Sequence, residues 1–224
     1  MAVARPDAGQ PFSFMSGLLS PVCCVLCSVF CLLFILACDS GAPPSSHDVA
    51  TWRAEKDRYM RESSDSPVPA EKRATFPPLP YFDVDPAYQV PAALNLEPRE
   101  SVLQLPTSTG QRRQMRRIGT LKFTLKGQPL TLSAFVDAST NDVRHLFVPF
   151  GDLTNGTETY AGGRYLDLER TATGIYDLDF NRAYHPFCVF NAGYDCPYPP
   201  RENRLLVPIR AGERLGAIGT SSEG

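Results

Sequence analysis

Ile118–Val136 reads IGTLKFTLKGQPLTLSAFV, and the fold turns on it. Leu121, Phe123 and Leu125 recur at every second position, as do Leu130, Leu132, Ala134 and Val136 after them. A period of two places each set on one face of a strand. Lys126-Gly127-Gln128 separates the sets and supplies the glycine that a tight hairpin turn needs. The stretch therefore predicts an antiparallel hairpin with one buried face.

Working outward, the same period continues on both sides. Val102, Leu103 and Leu105 start a strand from Ser101, and Thr107-Ser-Thr-Gly110 turns it. Leu146–Phe150, Ile175–Phe180 and Leu205–Ile209 come next as further strands, the last with Leu205, Val207 and Ile209 on one face. No helical pattern lies between them, so the sheet is antiparallel, and the 21 prolines and 16 glycines agree with many turns. The expectation is a mainly β fold, a small antiparallel barrel or sandwich with one N-terminal helix. That helix is Val49–Arg61, capped by Ser46 or Asp48, with Val49, Trp52, Tyr59 and Met60 as its apolar stripe. Ser63–Pro80, rich in proline, is expected to wrap the surface in extended form, with Tyr81, Phe82, Val84 and Tyr88 as its anchors in the core.

The N-terminal part differs in kind. Leu18–Ala37 is an uncharged run of 20 residues, and five of the seven cysteines (Cys23, Cys24, Cys27, Cys31, Cys38) fall in this segment. Its length admits a membrane-spanning helix. Its ending, Ala37-Cys38 and then a polar Pro/Ser/Gly stretch, is similar to the lipobox of bacterial lipoproteins, with Cys38 as the lipidated residue. Both readings put the domain outside the cytoplasm, at the cell membrane, facing the periplasm or exterior. The expected organisation is a signal peptide or anchor over 1–38, a linker over 39–48, one β-rich domain over 49–215 and a disordered tail over 216–224. Net charge is −2, with no basic excess to act as a nucleic-acid footprint.

The chemistry-bearing residues gather in Thr157–Arg210 and just before it. Several runs there resemble a known family: Phe147-Val-Pro-Phe-Gly-Asp-Leu-Thr154, Tyr160-Ala-Gly-Gly-Arg-Tyr-Leu-Asp167, Asp179-Phe-Asn-Arg-Ala-Tyr184 and Cys196-Pro-Tyr-Pro-Pro-Arg-Glu-Asn-Arg204. They look like domain of unknown function 1684, from about Trp52 to Glu213. The resemblance implies no activity, because that family has none established. Its members typically carry Asn-Pro where this chain has His185-Pro186.

Three constellations compete within the segment. Cys188 and Cys196 are separated by seven residues; outside the cytoplasm such a pair most often forms a disulfide, contributing ~2–3 kcal/mol by closing a short loop. A metal reading would add His185 and Asp195, but no second ligand pair matches zinc spacing, so no metal and no cofactor is assigned. Asp152, Arg164, Asp179, Asn181, Arg182 and Glu202, interleaved with aromatics, form either a binding pocket or an Arg–carboxylate–Asn network tying loops together. Tyr160-Ala-Gly-Gly-Arg164 lacks the strand–loop–helix setting of a phosphate loop and reads as a tight turn. The expected function is a membrane-anchored, non-catalytic binding or envelope-associated module. The alternative is an extracytoplasmic hydrolase using Asp179 and Glu202, or Cys188 with His185.

Overall fold

The computed structural model describes residues 46–140, 144–169 and 171–216. The expected leader and anchor, lipidation at Cys38, linker residues 39–45 and the tail from 217 lie outside them. Among the described residues no helix is long and apolar enough to cross a membrane.

The hairpin forms as its pattern dictates. β2 (Arg112–Leu125) and β3 (Gln128–Asp137) pair in antiparallel register, joined by Lys126 at φ 48° and Gly127 at φ 80°. Two successive left-handed residues are what a two-residue hairpin turn requires, because they match the twist of the strands. Four more strands extend it: β1 (Gln89–Pro106), β4 (His145–Phe150), β5 (Arg164–Glu169) and β6 (Ile175–Asp179). The strand order is β5-β4-β3-β2-β1-β6, with each neighbouring pair antiparallel. The sheet curls into a nearly closed barrel. Edge strands β5 and β6 then flank its one gap.

The alternating apolar residues fill the barrel. Leu121, Leu132, Ala134, Val148, Phe150, Leu178 and Phe180 are fully buried there. Phe150 and Phe180 meet edge to face with centroids 5.4 Å apart, a favoured aromatic geometry.

The helix α1 runs Ser46–Glu62, longer than expected at both ends. Ser46 and Asp48 therefore belong to its first turn instead of standing before it as caps. Val49 and Met60 are buried, and Met60 packs with Val68 and Leu79 in a separate cluster under the helix. Polar contacts fix α1 to the barrel: Arg53 donates to the carbonyls of Phe82 and Asn181, 3.0 and 3.3 Å away.

Several expectations are corrected. β1 begins at Gln89, twelve residues before Ser101, and its register slips between Leu96 and Ser101. Pro91, Pro98 and the Ala92-Ala93 pair dilute the strand pattern, and Pro98 falls in the irregularity, where a missing N–H is tolerated. Ser63–Pro80 includes a short helix, α2 (Ala70–Arg73), and is anchored by Val68 and Leu79. Of the anchors expected after it, Tyr88 is buried, while Tyr81, Phe82 and Val84 are half-buried. β5 is an addition to the expected strands, because a strand reading Arg-Tyr-Leu-Asp-Leu-Glu hides its period behind charge. Leu205–Ile209 is not a strand. Its alternation is real, with Leu205 and Ile209 buried and Leu206 exposed, but its backbone groups bind side chains and a loop instead of a neighbouring strand.

Candidate functional site

Asp152 and Arg164 make an ion pair at 2.9 Å with both side chains fully buried. Arg164 opens β5 directly after Gly163, whose φ of 93° suits glycine and whose Cβ, if present, would lie 2.6 Å from the Phe150 carbonyl. From there the guanidinium reaches across the barrel end, donating to the carbonyls of Ile209, Ala211 and Glu213. Asp152 accepts in turn from the backbone N–H of Thr154 and Ile209 and from the Thr154 hydroxyl. Burial pulls the Arg164 pKa down, opposed by Asp152. A charge this enclosed is held by its partners and is unavailable to a ligand. These two residues clasp the C-terminal segment to the sheet.

Asn181 is structural too. Its side chain donates to the Asp85 carbonyl and the Asp179 carboxylate, and accepts from the Asp85 N–H at 3.0 Å. Glu202 lies apart from the others, exposed beside Arg117 at 3.7 Å. The residue that matters in the Glu-Asn run is its neighbour. Asn203, fully buried, accepts from Ser133 N–H and donates to the carbonyls of Ser133 and Pro149. It splices β3 to β4 where these strands share a single matched pair, Phe135 with Phe147.

Asp179 and Arg182 face a cavity of 510 Å³ at the gap between β5 and β6. Its walls include Leu166, Asp167, Leu168 and Glu169 from β5, and Tyr176, Asp177 and Asp179 from β6. α1 contributes Asp48 and Trp52, and His145, Arg182 and Tyr184 complete the wall. Asp179 terminates β6 and caps the next 3-10 turn (Phe180–Arg182) through the Asn181 N–H. Only 5% of Asp179 is exposed. Its Oδ2 has no hydrogen-bond partner among the described residues, and Arg182 Nε lies 3.6 Å away. Desolvation raises the Asp179 pKa, opposed by the Asn181 hydrogen bonds and by Arg182. Desolvation likewise raises Asp167, opposed by the Tyr184 hydroxyl at 2.6 Å and by Lys56. Arg182 also pairs with Asp48.

Beneath the groove lies a second buried cluster that the sequence pattern does not announce. Lys56 pairs with Glu213 at 2.6 Å, its ammonium 4.1 Å from the Tyr184 ring centre. Burial lowers the Lys56 pKa, opposed by Glu213. Glu213 also accepts from the His185 backbone N–H at 2.7 Å, and the His185 ring faces it at 3.6 Å. His185 Nε2 accepts from the Tyr160 N–H, which makes the ring neutral. Burial, then the Arg164 and Lys56 charges, push its pKa down to about 3. Both ring nitrogens are thus committed away from Cys188, and the Cys188–His185 nucleophile pair does not assemble. The one sequence signal for Lys56 is its place four residues after Trp52, on the helix face that turns inward.

The disulfide expected between Cys188 and Cys196 is not shown: both are free thiols. They are nonetheless neighbours, the Cys188 N–H pointing at Cys196 Sγ from 3.2 Å. Among the described residues no group of three or more His, Cys, Asp or Glu is arranged to hold a metal ion.

A nearly closed six-stranded barrel, braced by a buried Arg–Asp clasp and carrying an acidic groove at its edges, defines the class of protein. A family model described as "Protein of unknown function (DUF1684)" matches residues 74–214, and the chain belongs to that family. Five solved chains match it. One is an uncharacterised protein of Haloarcula marismortui, determined by NMR in solution. It is 39% identical with a TM-score of 0.60, and the match covers 75% of this chain and 93% of that one. A comparison with curated proteins finds no match.

Proposed function

We propose that this chain is a non-catalytic binding module whose ligand is a small organic cation held in the groove between β5 and β6. The observation that carries the reading is Asp179, a buried carboxylate in the groove wall whose Oδ2 accepts no hydrogen bond among the described residues and is met only by the Arg182 ion pair at 3.6 Å. A buried acceptor without a hydrogen bond is costly, and a donor-bearing ligand removes that cost. The surroundings suit an ammonium or guanidinium group. Five carboxylates (Asp48, Asp167, Glu169, Asp177, Asp179) face one guanidinium, Arg182, with His145 alongside. Trp52, Tyr176 and Tyr184 add aromatic rings to the lining, and the Lys56 ammonium over the Tyr184 and Trp52 rings is a cation already held this way. The volume lies within the range of small-molecule pockets.

The hydrolase reading has less support, since Glu202 is not among the groove-lining residues and His185 is turned away from Cys188. Calorimetric titration with spermidine, putrescine and benzamidine tests the binding reading. Saturable one-to-one heat with at least one cation, absent with acetate, supports it; no heat with any of them contradicts it. We further propose that the module is tethered outside the cytoplasm through Cys38, as the leader's ending implies. An intact mass carrying two or three acyl chains on Cys38 supports the tether, and an unmodified, uncleaved chain contradicts lipidation.

A further inference from the structure

Cys188 and Cys196 differ in burial and in the hydrogen bonds that surround them. Cys188 is the middle residue of a 3-10 turn (Phe187–Val189) and is half-exposed, whereas Cys196 is buried. The Cys196 position is fixed from two sides by the turn after β1. Ser108 N–H donates to its carbonyl at 2.9 Å, and its own N–H donates to Ser108 Oγ at 3.0 Å. Cys196 Sγ in turn accepts from the Cys188 N–H. Beside it opens a second cavity, of 390 Å³, walled by Phe147, Tyr165, Phe187, Tyr194 and Cys196, with Arg113 at its edge.

We propose that this pair is a thiol–disulfide exchange site for a low-molecular-weight disulfide, with Cys188 as the attacking sulfur and Cys196 as the resolving one. The assignment rests on access and hydrogen bonding. The Cys196 thiol and the Tyr160 hydroxyl draw the Cys188 pKa below the ordinary thiol range, against desolvation, while the Ser108 hydroxyl donates to the Tyr194 carbonyl. The reverse holds for Cys196, whose pKa is pushed up by its hydrogen bond to the Cys188 sulfur and by burial. The thiolate is the nucleophile, and the more accessible member of such a pair attacks first. The Cys188 thiolate displaces one sulfur of the incoming disulfide, which leaves as a thiolate and takes up a proton. Cys196 then loses its proton and attacks Cys188 Sγ, expelling the second thiolate. The protein dithiol is oxidised to a disulfide, and the small disulfide is reduced to two thiols. The static bond expected from the sequence is then one of two states of a working pair.

The test uses the purified full-length chain, reduced, freed of reductant and exposed to oxidised glutathione. Both cysteines fall in one tryptic peptide, Ala183–Arg201, so the other five do not interfere. In the wild type this peptide should lose two hydrogens, with two equivalents of glutathione released. Cys196→Ser should retain one glutathione on Cys188. Cys188→Ser should leave Cys196 unmodified over the same time, at least about tenfold slower to react. Glutathione on Cys196 in the Cys188→Ser chain at the wild-type rate, or an unchanged wild-type peptide, overturns the proposal. If neither variant folds, limited alkylation of the reduced wild type decides it. Label on Cys188 in about tenfold excess over Cys196 supports the assignment, and equal labelling overturns it.

Discussion

Arg164 ties the C-terminal segment to the sheet, because one buried guanidinium binds Asp152 and three carbonyls of that segment. Removing it leaves Asp152 buried and uncompensated. Arg164→Ala should cost about 3–5 kcal/mol by urea denaturation, and a loss below about 1 kcal/mol would contradict the clasp. His185 predicts a pH dependence. Its pKa is about 3 when folded and near 6.5 when free. Between those values the unfolded chain binds a proton that the folded chain refuses. Stability from the neutral imidazole is therefore complete above about pH 6.5 and lost toward pH 3, with a slope of up to about 1.4 kcal/mol per pH unit. Asp167 and Asp179, with raised pKa values, act in the opposite sense: their contribution is present at low pH and lost as pH rises. Comparison with His185→Gln isolates the histidine. The wild type should lose its advantage over the variant between pH 6.5 and 4, and a constant gap would refute the assignment. None of this is legible residue by residue. A run of Asp, Arg, Asn and Glu tells which groups need partners, whereas the partners are set by three-dimensional reach. Asp152 and Arg164 therefore stand out in the sequence without showing that they pair, and Glu202 draws notice that belongs to Asn203.

At the scale of elements, strands with a clean period of two are legible and those interrupted by charge or proline are not. The β2–β3 hairpin reads with its inward faces intact, since Leu121, Phe123, Leu132 and Ala134 are buried as the alternation requires. β5 is hidden because Arg164 is buried against its type. Leu205–Ile209 has strand alternation, yet Pro208 and the side chains bound to its backbone keep it out of the sheet. Two substitutions test how the elements are joined. Asn203→Ala strips the splice between β3 and β4, leaving backbone groups of Ser133 and Pro149 unpaired in a buried site. It should cost about 2–4 kcal/mol of unfolding free energy. Met60→Ala opens a cavity under α1 and should cost about 2–5 kcal/mol. An unchanged denaturation midpoint in either variant would mean that the contact carries no weight.

For the whole molecule, the nearly closed barrel is legible from strand count and short turns, but its groove is not. The groove exists because β6 returns to β1 instead of completing the ring with β5, and because α1 leans over the gap. Both are matters of topology that no local pattern encodes. The two sites are neighbours, since β5 and Tyr184 contribute to both the groove and the cavity beside the thiol pair. The groove is the central claim, and the protein carries its own reporter there, since Trp52 is the only tryptophan and lines the wall. The deciding measurement is a titration of Trp52 fluorescence with spermidine in the wild type, Asp179→Asn and Asp167→Asn. A saturable change that weakens at least about tenfold in a folded variant is the result expected for a charge-assisted contact. A response absent in the wild type, or equal in all three chains, would contradict the claim.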